Sequence, residues 1–309
     1  MEIFRHLTSP DGTLLYKRND PNDVRLGETV RTDPAALDKA DIVLIGCPQD
    51  EGVRRNKGRP GAAAAPDAIR QYLYKLVAQP HVTLFDAGNT IIQATLEDTH
   101  TIHTQVVNQL LDAGKRVISL GGGNDLSYAD CLALTQAYDT VLAFNVDAHF
   151  DVRADTPRNS GTPYRQLLDG NHVNPQNFYE IGSLPAVNAP TYRQYLDNIG
   201  ANIIDRFAVQ QNGIQNTFDT ILSHANADAI FWGLDMDVVR VADAPGVSAP
   251  NPLGLSALDF CQIATIAGQD YRSRVFEITE VNPTVDIDGR TCRLAAMAIY
   301  TYLDQVIAT

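Results

Sequence analysis

Residues 141–153 read VLAFNVDAHFDVR, and the fold turns on that stretch. Its first half is a nearly continuous apolar run, the pattern of a strand buried on both faces of a parallel sheet. Its second half turns acidic, with Asp147, His149 and Asp151 at every second position. In extended backbone such residues leave the same face of the chain and converge on one point. A buried strand ending in converging ligand-type side chains is the layout of an open α/β sheet, where ligands collect beyond the carboxyl ends of the strands.

Working outward, seven further apolar, β-branched runs have the same character: 41–46 (DIVLIG), 82–85, 116–120 (RVISL), 177–181, 202–204, 229–234 (AIFWGL) and 274–278. Segments of helical composition lie among them at 62–77, 96–111, 127–138, 214–224, 257–267 and 291–307. Strands alternating with helices predict βαβ crossovers and a three-layer α/β/α architecture with a mostly parallel sheet of about eight strands. No repeat, low-complexity tract or linker divides the chain, so residues 1–309 are expected to form one domain, with 1–39 an N-terminal extension. Two long loops, 151–177 and 243–254, directly follow strands, which is where loops shape binding sites.

The composition fits a folded α/β protein: 44% of the 309 residues are apolar and 20% charged. A formal net charge of −13 opposes nucleic-acid binding, which draws its affinity from clustered Lys and Arg. The first residues lack the basic-then-apolar pattern of a secretion signal, and no apolar run has the length of a membrane span. Cys47, Cys131, Cys261 and Cys292 form no CxxC and read as buried free thiols, so a reducing cytoplasm is the expected location.

Three more clusters fall at strand ends: GGGND (121–125), DMD (235–237) and ITEVNP (278–283). Asp235 and Asp237 repeat the alternation of the first set. Four carboxylates and one imidazole make an oxygen-rich donor set, better suited to Mn²⁺ than to structural zinc. Crowded without a cation, they would repel one another and take up protons. One such Asp alone is as readily a helix cap or turn former, but two alternating sets at separate strand ends point to a metal. GGGNDL lacks the third glycine of GxGxxG and the GK[ST] of a P-loop, so it reads as a tight turn that brings Asn124 toward the ions.

In order along the chain, GGGND, NVDAHFDVR, GLDMDVV and TEVNPT resemble the four signature segments of the ureohydrolase superfamily, which includes arginases, agmatinases and formimidoylglutamases. Within it, DEGVRRNKGRPGAAAAPDAIR (50–70) and NSGTPYRQLL (159–168) are most similar to formimidoylglutamases, and the resemblance runs from about residue 40 to the carboxyl end. It implies an arginase-like fold and two Mn²⁺ ions. Asp147 and Asp235 would bridge them, Asp151 and Asn124 would serve one ion, and His149 with Asp237 the other. The implied reaction is hydrolysis of a C=N bond in N-formimidoyl-L-glutamate by a hydroxide bridging the ions. Asp151 would relay the proton and Glu280 would hold the amidinium by a charge-assisted hydrogen bond. From amidine chemistry the adduct loses ammonia, while the resemblance favours glutamate and formamide as products.

Two departures stand out. Asn124 occupies the place where family members usually carry histidine, and a neutral amide is the weaker ligand, so the neighbouring ion is expected to bind weakly. The loop NSGTPYRQ also lacks the histidine that arginases carry, which argues against arginine as substrate. Another guanidino or amidino compound, or a metal-depleted non-catalytic relative, are the competing readings. A substrate with two carboxylates needs cations, for which Arg165 is the first candidate, with Arg54, Arg59, Arg55 and Lys57 behind it. His100 and His103, three apart on a helix, read as surface or packing residues. The resemblance also implies a homo-oligomer, trimer or hexamer, with a small-molecule amidine as partner.

Overall fold

The structure, a computed structural model, describes residues 2–306. Nine strands form one sheet: β1 (Leu7–Thr8), β2 (Ile42–Gly46), β3 (Leu84–Thr90), β4 (Arg116–Leu120), β5 (Val141–Val146), β6 (Phe178–Ile181), β7 (Asn202–Ile204), β8 (Ala229–Asp235) and β9 (Ser273–Thr279). Their order is β1-β3-β2-β4-β9-β8-β5-β6-β7, parallel throughout except β1, which runs antiparallel to β3. The eight expected runs all appear as strands. The ninth, β1, lies in the N-terminal extension and is too short to show a period.

Alternation along each strand divides the core in two. Ile42, Leu44, Ile118, Phe144, Trp232 and Phe276 pack on one face with the helices Ala65–Leu73, Ile214–His224, Ala257–Gln269 and Arg290–Gln305. Val43, Ile45, Val117, Ala143, Phe231 and Val275 pack on the other with Leu96–Asp112, Leu126–Ala137 and Pro163–Asp169. Because successive side chains point to opposite faces and both are covered, each central strand is mostly apolar without regular polar alternation, and its few polar residues, such as Ser119, Asn145 and Glu277, are buried too. Trp232 anchors the first core, with ring centroids 4.6 Å from Phe144 and 5.4 Å from Phe218, and its indole N–H donates to Ser273 Oγ at 2.8 Å.

The expected helices are present, with differences at their ends. The segment expected at 62–77 narrows to Ala65–Leu73 after a 3₁₀ turn, and the last helix ends at Gln305, so residue 307 of the expected segment lies outside the described residues. The loop expected over 151–177 contains the helix Pro163–Asp169, whose first turn begins at Pro163, a position where the missing N–H is harmless. Helices Pro190–Ile199 and Arg206–Asn212, which are not expected from the sequence, pack near β7 and bury little beyond Leu196 and Val209. Among the described residues no helix is long and apolar enough to cross a membrane, and all four cysteines are free thiols, with Cys261 only partly buried.

The order β4-β9-β8-β5 is what positions the site. The four acidic or Gly-rich clusters follow the carboxyl ends of four strands that are neighbours in space, although they are spread over some 160 residues of sequence.

Candidate metal centre

After β4 the chain turns within GGGND. A Cβ on Gly122 would lie 1.5 Å from the Gln49 carbonyl oxygen, so only glycine lets the two backbones pass. The Gly122 carbonyl accepts from the Glu280 N–H at 2.8 Å, tying the end of β4 to the end of β9. The Asn124 N–H in turn donates to Glu280 Oε1 at 3.0 Å. Glu280 (φ 61°) and Asp151 (φ 47°) both sit in the left-handed region, which costs roughly 1–3 kcal/mol each for a non-glycine residue. Both strained residues point their carboxylates into the same cleft.

Asp147 and Asp235 use one local device twice. Asp147 Oδ1 accepts from the His149 N–H at 2.7 Å, and Asp235 Oδ1 accepts from the Asp237 N–H at 2.8 Å. Each aspartate thereby fixes the turn that follows its strand and holds its carboxylate rigid. His149 Nδ1 lies 3.1 Å from Asp237 Oδ2 and 3.4 Å from Asp147 Oδ1. Asp147, His149 and Asp237 bring donor atoms within 4.8 Å of one another, as do Asp147, Asp151 and Asp235. The two triads share Asp147.

Electrostatics makes this a cation site. Asp147, Asp235, Asp237 and Glu280 are buried, and Asp151 is partly so. Burial, then the charge of Asp237, pushes the Asp147 carboxyl up to about 7. Burial and Asp147 push Asp151 up to about 7 as well. Asp235 is driven well above the carboxylate range by burial and by Asp237 and Asp147, and Glu280 by burial above all. His149 is held protonated mainly by Asp237. Asp237 Oδ1 is buried without a hydrogen-bond partner, an arrangement that costs roughly 1–3 kcal/mol unless something outside the protein satisfies it. The donor set and this orphaned oxygen fit divalent cations of the hard or borderline kind.

Asn124 differs from expectation. Its Nδ2 donates to Asp151 Oδ2 at 2.7 Å, while its Oδ1 faces away and accepts from the hydroxyls of Ser127 and Thr279, both at 2.9 Å. The physical reason is polarity: two carboxylates facing an amide draw its N–H₂ end toward them.

The triads open into a cleft of about 310 Å³ whose walls include Glu280, Lys57, Arg153, Ser160, Asn188 and Tyr192. Arg165 is not among them. Its Nε donates to Asp169 at 2.6 Å and its guanidinium stacks on Tyr195 at 3.7 Å, because the helix Pro163–Asp169 turns that face outward. Arg59 is spent on the carbonyls of Val247 and Ser248, clamping the 243–254 loop. Arg54 pairs with Asp50 and Glu51, and Arg55 with Glu51 and Glu97. The lysine and arginine side chains that face the cleft are Lys57 and Arg153, neither of which has an ion-pair partner within 4 Å among the described residues. Arg153 is not among the cations expected from the sequence, where its one signal is its place two residues beyond Asp151 in the same segment.

His100 and His103 are also buried, not at the surface. His100 Nε2 lies 2.9 Å from Asp125 Oδ2 and His103 Nε2 3.0 Å from Asp130 Oδ1. Their partners lie on another helix or its cap, which spacing along one helix does not reveal.

The sequence profile of the arginase family matches residues 40–304. The formimidoylglutamase of Rhodococcus jostii is 33% identical over 269 residues, covering 84% of this chain and 83% of that protein. Among solved structures, Trypanosoma cruzi formiminoglutamase with Mn²⁺₂ superposes with a TM-score of 0.86 at 30% identity, over 92% of this chain and 98% of that one. Bacillus subtilis formimidoylglutamase gives 0.87 at 28% identity, over 94% of each chain.

Proposed function

Since the chain belongs to the arginase family, we propose that it is a metal-dependent hydrolase that converts N-formimidoyl-L-glutamate and water to L-glutamate and formamide. The observation that carries the reading is the meeting of two donor triads on Asp147, with Glu280 in the same cleft. The substrate follows from the relatives, which bear the name formimidoylglutamase.

In this reading Asp147, Asp151, Asp235, Asp237, His149 and, through its amide oxygen, Asn124 hold two divalent ions, manganese by analogy with the Trypanosoma structure. What such ions supply when bound is Lewis acidity, which makes water nucleophilic near neutral pH. The protein's own groups do the rest. The Glu280 carboxylate holds the amidinium by charge-assisted hydrogen bonds. Lys57 and Arg153 grip the two carboxylates of the glutamate part, so that the amidine end points at the triads. Asp151 takes the proton that water loses and returns it to the glutamate nitrogen. The bond broken is that between the amidine carbon and the glutamate nitrogen. Loss of ammonia, the route expected from amidine chemistry alone, would instead leave an N-formyl acid and cannot give these products.

The test is direct. Purified protein with Mn²⁺ should release formamide and glutamate from N-formimidoyl-L-glutamate faster than it releases urea from arginine, measured side by side. Faster urea release, or no Mn²⁺-dependent turnover of either compound, would overturn the assignment.

A further inference from the structure

Behind Asn124, away from the cleft, a polar chain runs through the interior. Ser127 Oγ lies 2.9 Å from Asn124 Oδ1 and 2.6 Å from Glu277 Oε2. Burial above all, and then the neighbouring Asp130, push the Glu277 carboxyl well above the carboxylate range. Asp130 Oδ1 faces His103, and His103 Nδ1 meets the Thr90 hydroxyl at 2.7 Å. Ser127, Glu277, Asp130 and His103 are fully buried, and Thr90 nearly so. Glu277 Oε1 and Asp130 Oδ2 each lack a hydrogen-bond partner. One proton shared between those two oxygens satisfies both, and two anions side by side would satisfy neither. None of these groups has a part in the reaction above.

An amide side chain has two ends of nearly the same shape and opposite polarity. To offer Oδ1 to a cation, Asn124 must turn its Nδ2 backward, where Ser127 and Thr279 are the neighbours. A serine hydroxyl has one proton. It accepts from Nδ2 while donating only if that proton has another destination, and Glu277 Oε2 at 2.6 Å is one. Asp130 and His103 hold the far side of Glu277 and keep it there.

We propose that Ser127 and Glu277 are positioning residues of the metal centre: the Ser127 hydroxyl links the Glu277 carboxyl to Asn124, so that the amide presents its oxygen to the ion it shares with Asp151. This rests on the reading of Asn124 as a ligand. Without the link, the Thr279 hydroxyl remains behind the amide and can donate or accept, so the attraction of Asp151 for N–H₂ decides the orientation.

Calorimetric titration of Mn²⁺ into chelator-stripped full-length protein tests the relay. Ser127→Ala should weaken one of two ions by roughly 10 to 100-fold, the scale of losing a group that orients a ligand, and leave the other unchanged. Glu277→Gln should keep both ions, because its Oε1 still accepts from Ser127 and its Nε2 donates to Asp130. Glu277→Met should behave like Ser127→Ala; if it fails to fold, the Ala and Gln variants still decide. A Ser127→Ala protein that binds both ions like wild type, or a Gln variant that loses as much as Ala, overturns the relay. Wild type that binds no Mn²⁺ overturns the metal reading and the relay with it, whereas two ions in both wild type and Ser127→Ala overturns the relay alone.

Discussion

Replacing Asp147 by Asn should make the metal-free protein more stable at pH 8, not less. The Asp147 carboxyl is wholly buried, and burial with the charge of Asp237 moves it from 3.8 up to about 7. At 1.36 kcal/mol per pH unit, that displacement corresponds to about 4 kcal/mol of charging cost. Asp147 is raised by burial and Asp237 and in turn raises Asp151 and Asp235, so the cost is shared and one substitution recovers only part, about 1–2 kcal/mol. Asn keeps the Oδ1 that accepts from the His149 N–H, so the turn after β5 is preserved. A carboxyl whose pKa is raised by folding costs nothing below about pH 4, where folded and unfolded chains both hold the proton. The cost grows as pH rises from about 4 to 7 and is complete above that. The gain from Asp147→Asn should therefore vanish near pH 4 and be largest at pH 8. At roughly 2–4 °C per kcal/mol, the melting temperature in EDTA should rise by about 2–8 °C. Excess Mn²⁺ should reverse the order, because wild type at 100 times Kd gains about 2.7 kcal/mol that the variant forgoes. Scanning calorimetry with EDTA and with Mn²⁺, from pH 4 to 8, reads all of this. If the variant melts below wild type in EDTA at pH 8, the reasoning is wrong and the Asp147 charge stabilises the metal-free fold, since the turn hydrogen bond is common to both forms.

Other outcomes are expected from the same geometry. Asp235→Ala should abolish both metal content and turnover, as metal analysis and activity assays would register, while Asp228→Ala, whose exposed carboxylate only accepts from the Thr140 N–H, should change neither. Lys57→Met and Arg153→Met should each raise KM for the formimidoyl acid about threefold to tenfold with little change in kcat, the modest range set by their exposure to solvent. Arg165→Ala should leave KM where it is, and a rise comparable to that of Arg153→Met would return Arg165 to the substrate site.

The central strands were legible because burial on both faces leaves little room for polar residues, so 116–120, 141–146 and 229–234 stand out as mostly apolar runs. The alternation of acidic residues draws attention to 147–151 and 235–237, but what brings these side chains together is not extended backbone: residues 147–149 bend, Asp151 is left-handed and Met236–Val238 form a 3₁₀ turn. β1 and the helices Pro190–Ile199 and Arg206–Asn212 were not, since they bury few side chains and carry little pattern. β3 extends past its apolar start through Asp86 to Thr90, whose polar side chains are buried because Arg70 and His103 meet them. Such partners come from other elements, and sequence spacing does not disclose them. Of the candidate substrate cations Lys57 does face the cleft, whereas Arg165 does not, for the same reason: nothing in SGTPYRQ says that Asp169 and Tyr195 take up its guanidinium.

The sheet order also has a meaning in time. β8 and β9 are the last strands to leave the ribosome, yet they lie between β4 and β5. A nascent chain that ends before residue 229 holds seven strands in two flanks with the middle missing. Three strand spacings, about 14 Å, separate the β4 turn from the β5 turn in the finished sheet, and only β9 and β8 set that span. Each donor triad draws one member from the β8 end, Asp235 or Asp237. A chain cut short there has most of its sheet and neither triad complete. Ion capture is thus confined to the end of folding: it rewards the finished protein and gives a partly made one no shelter from proteases.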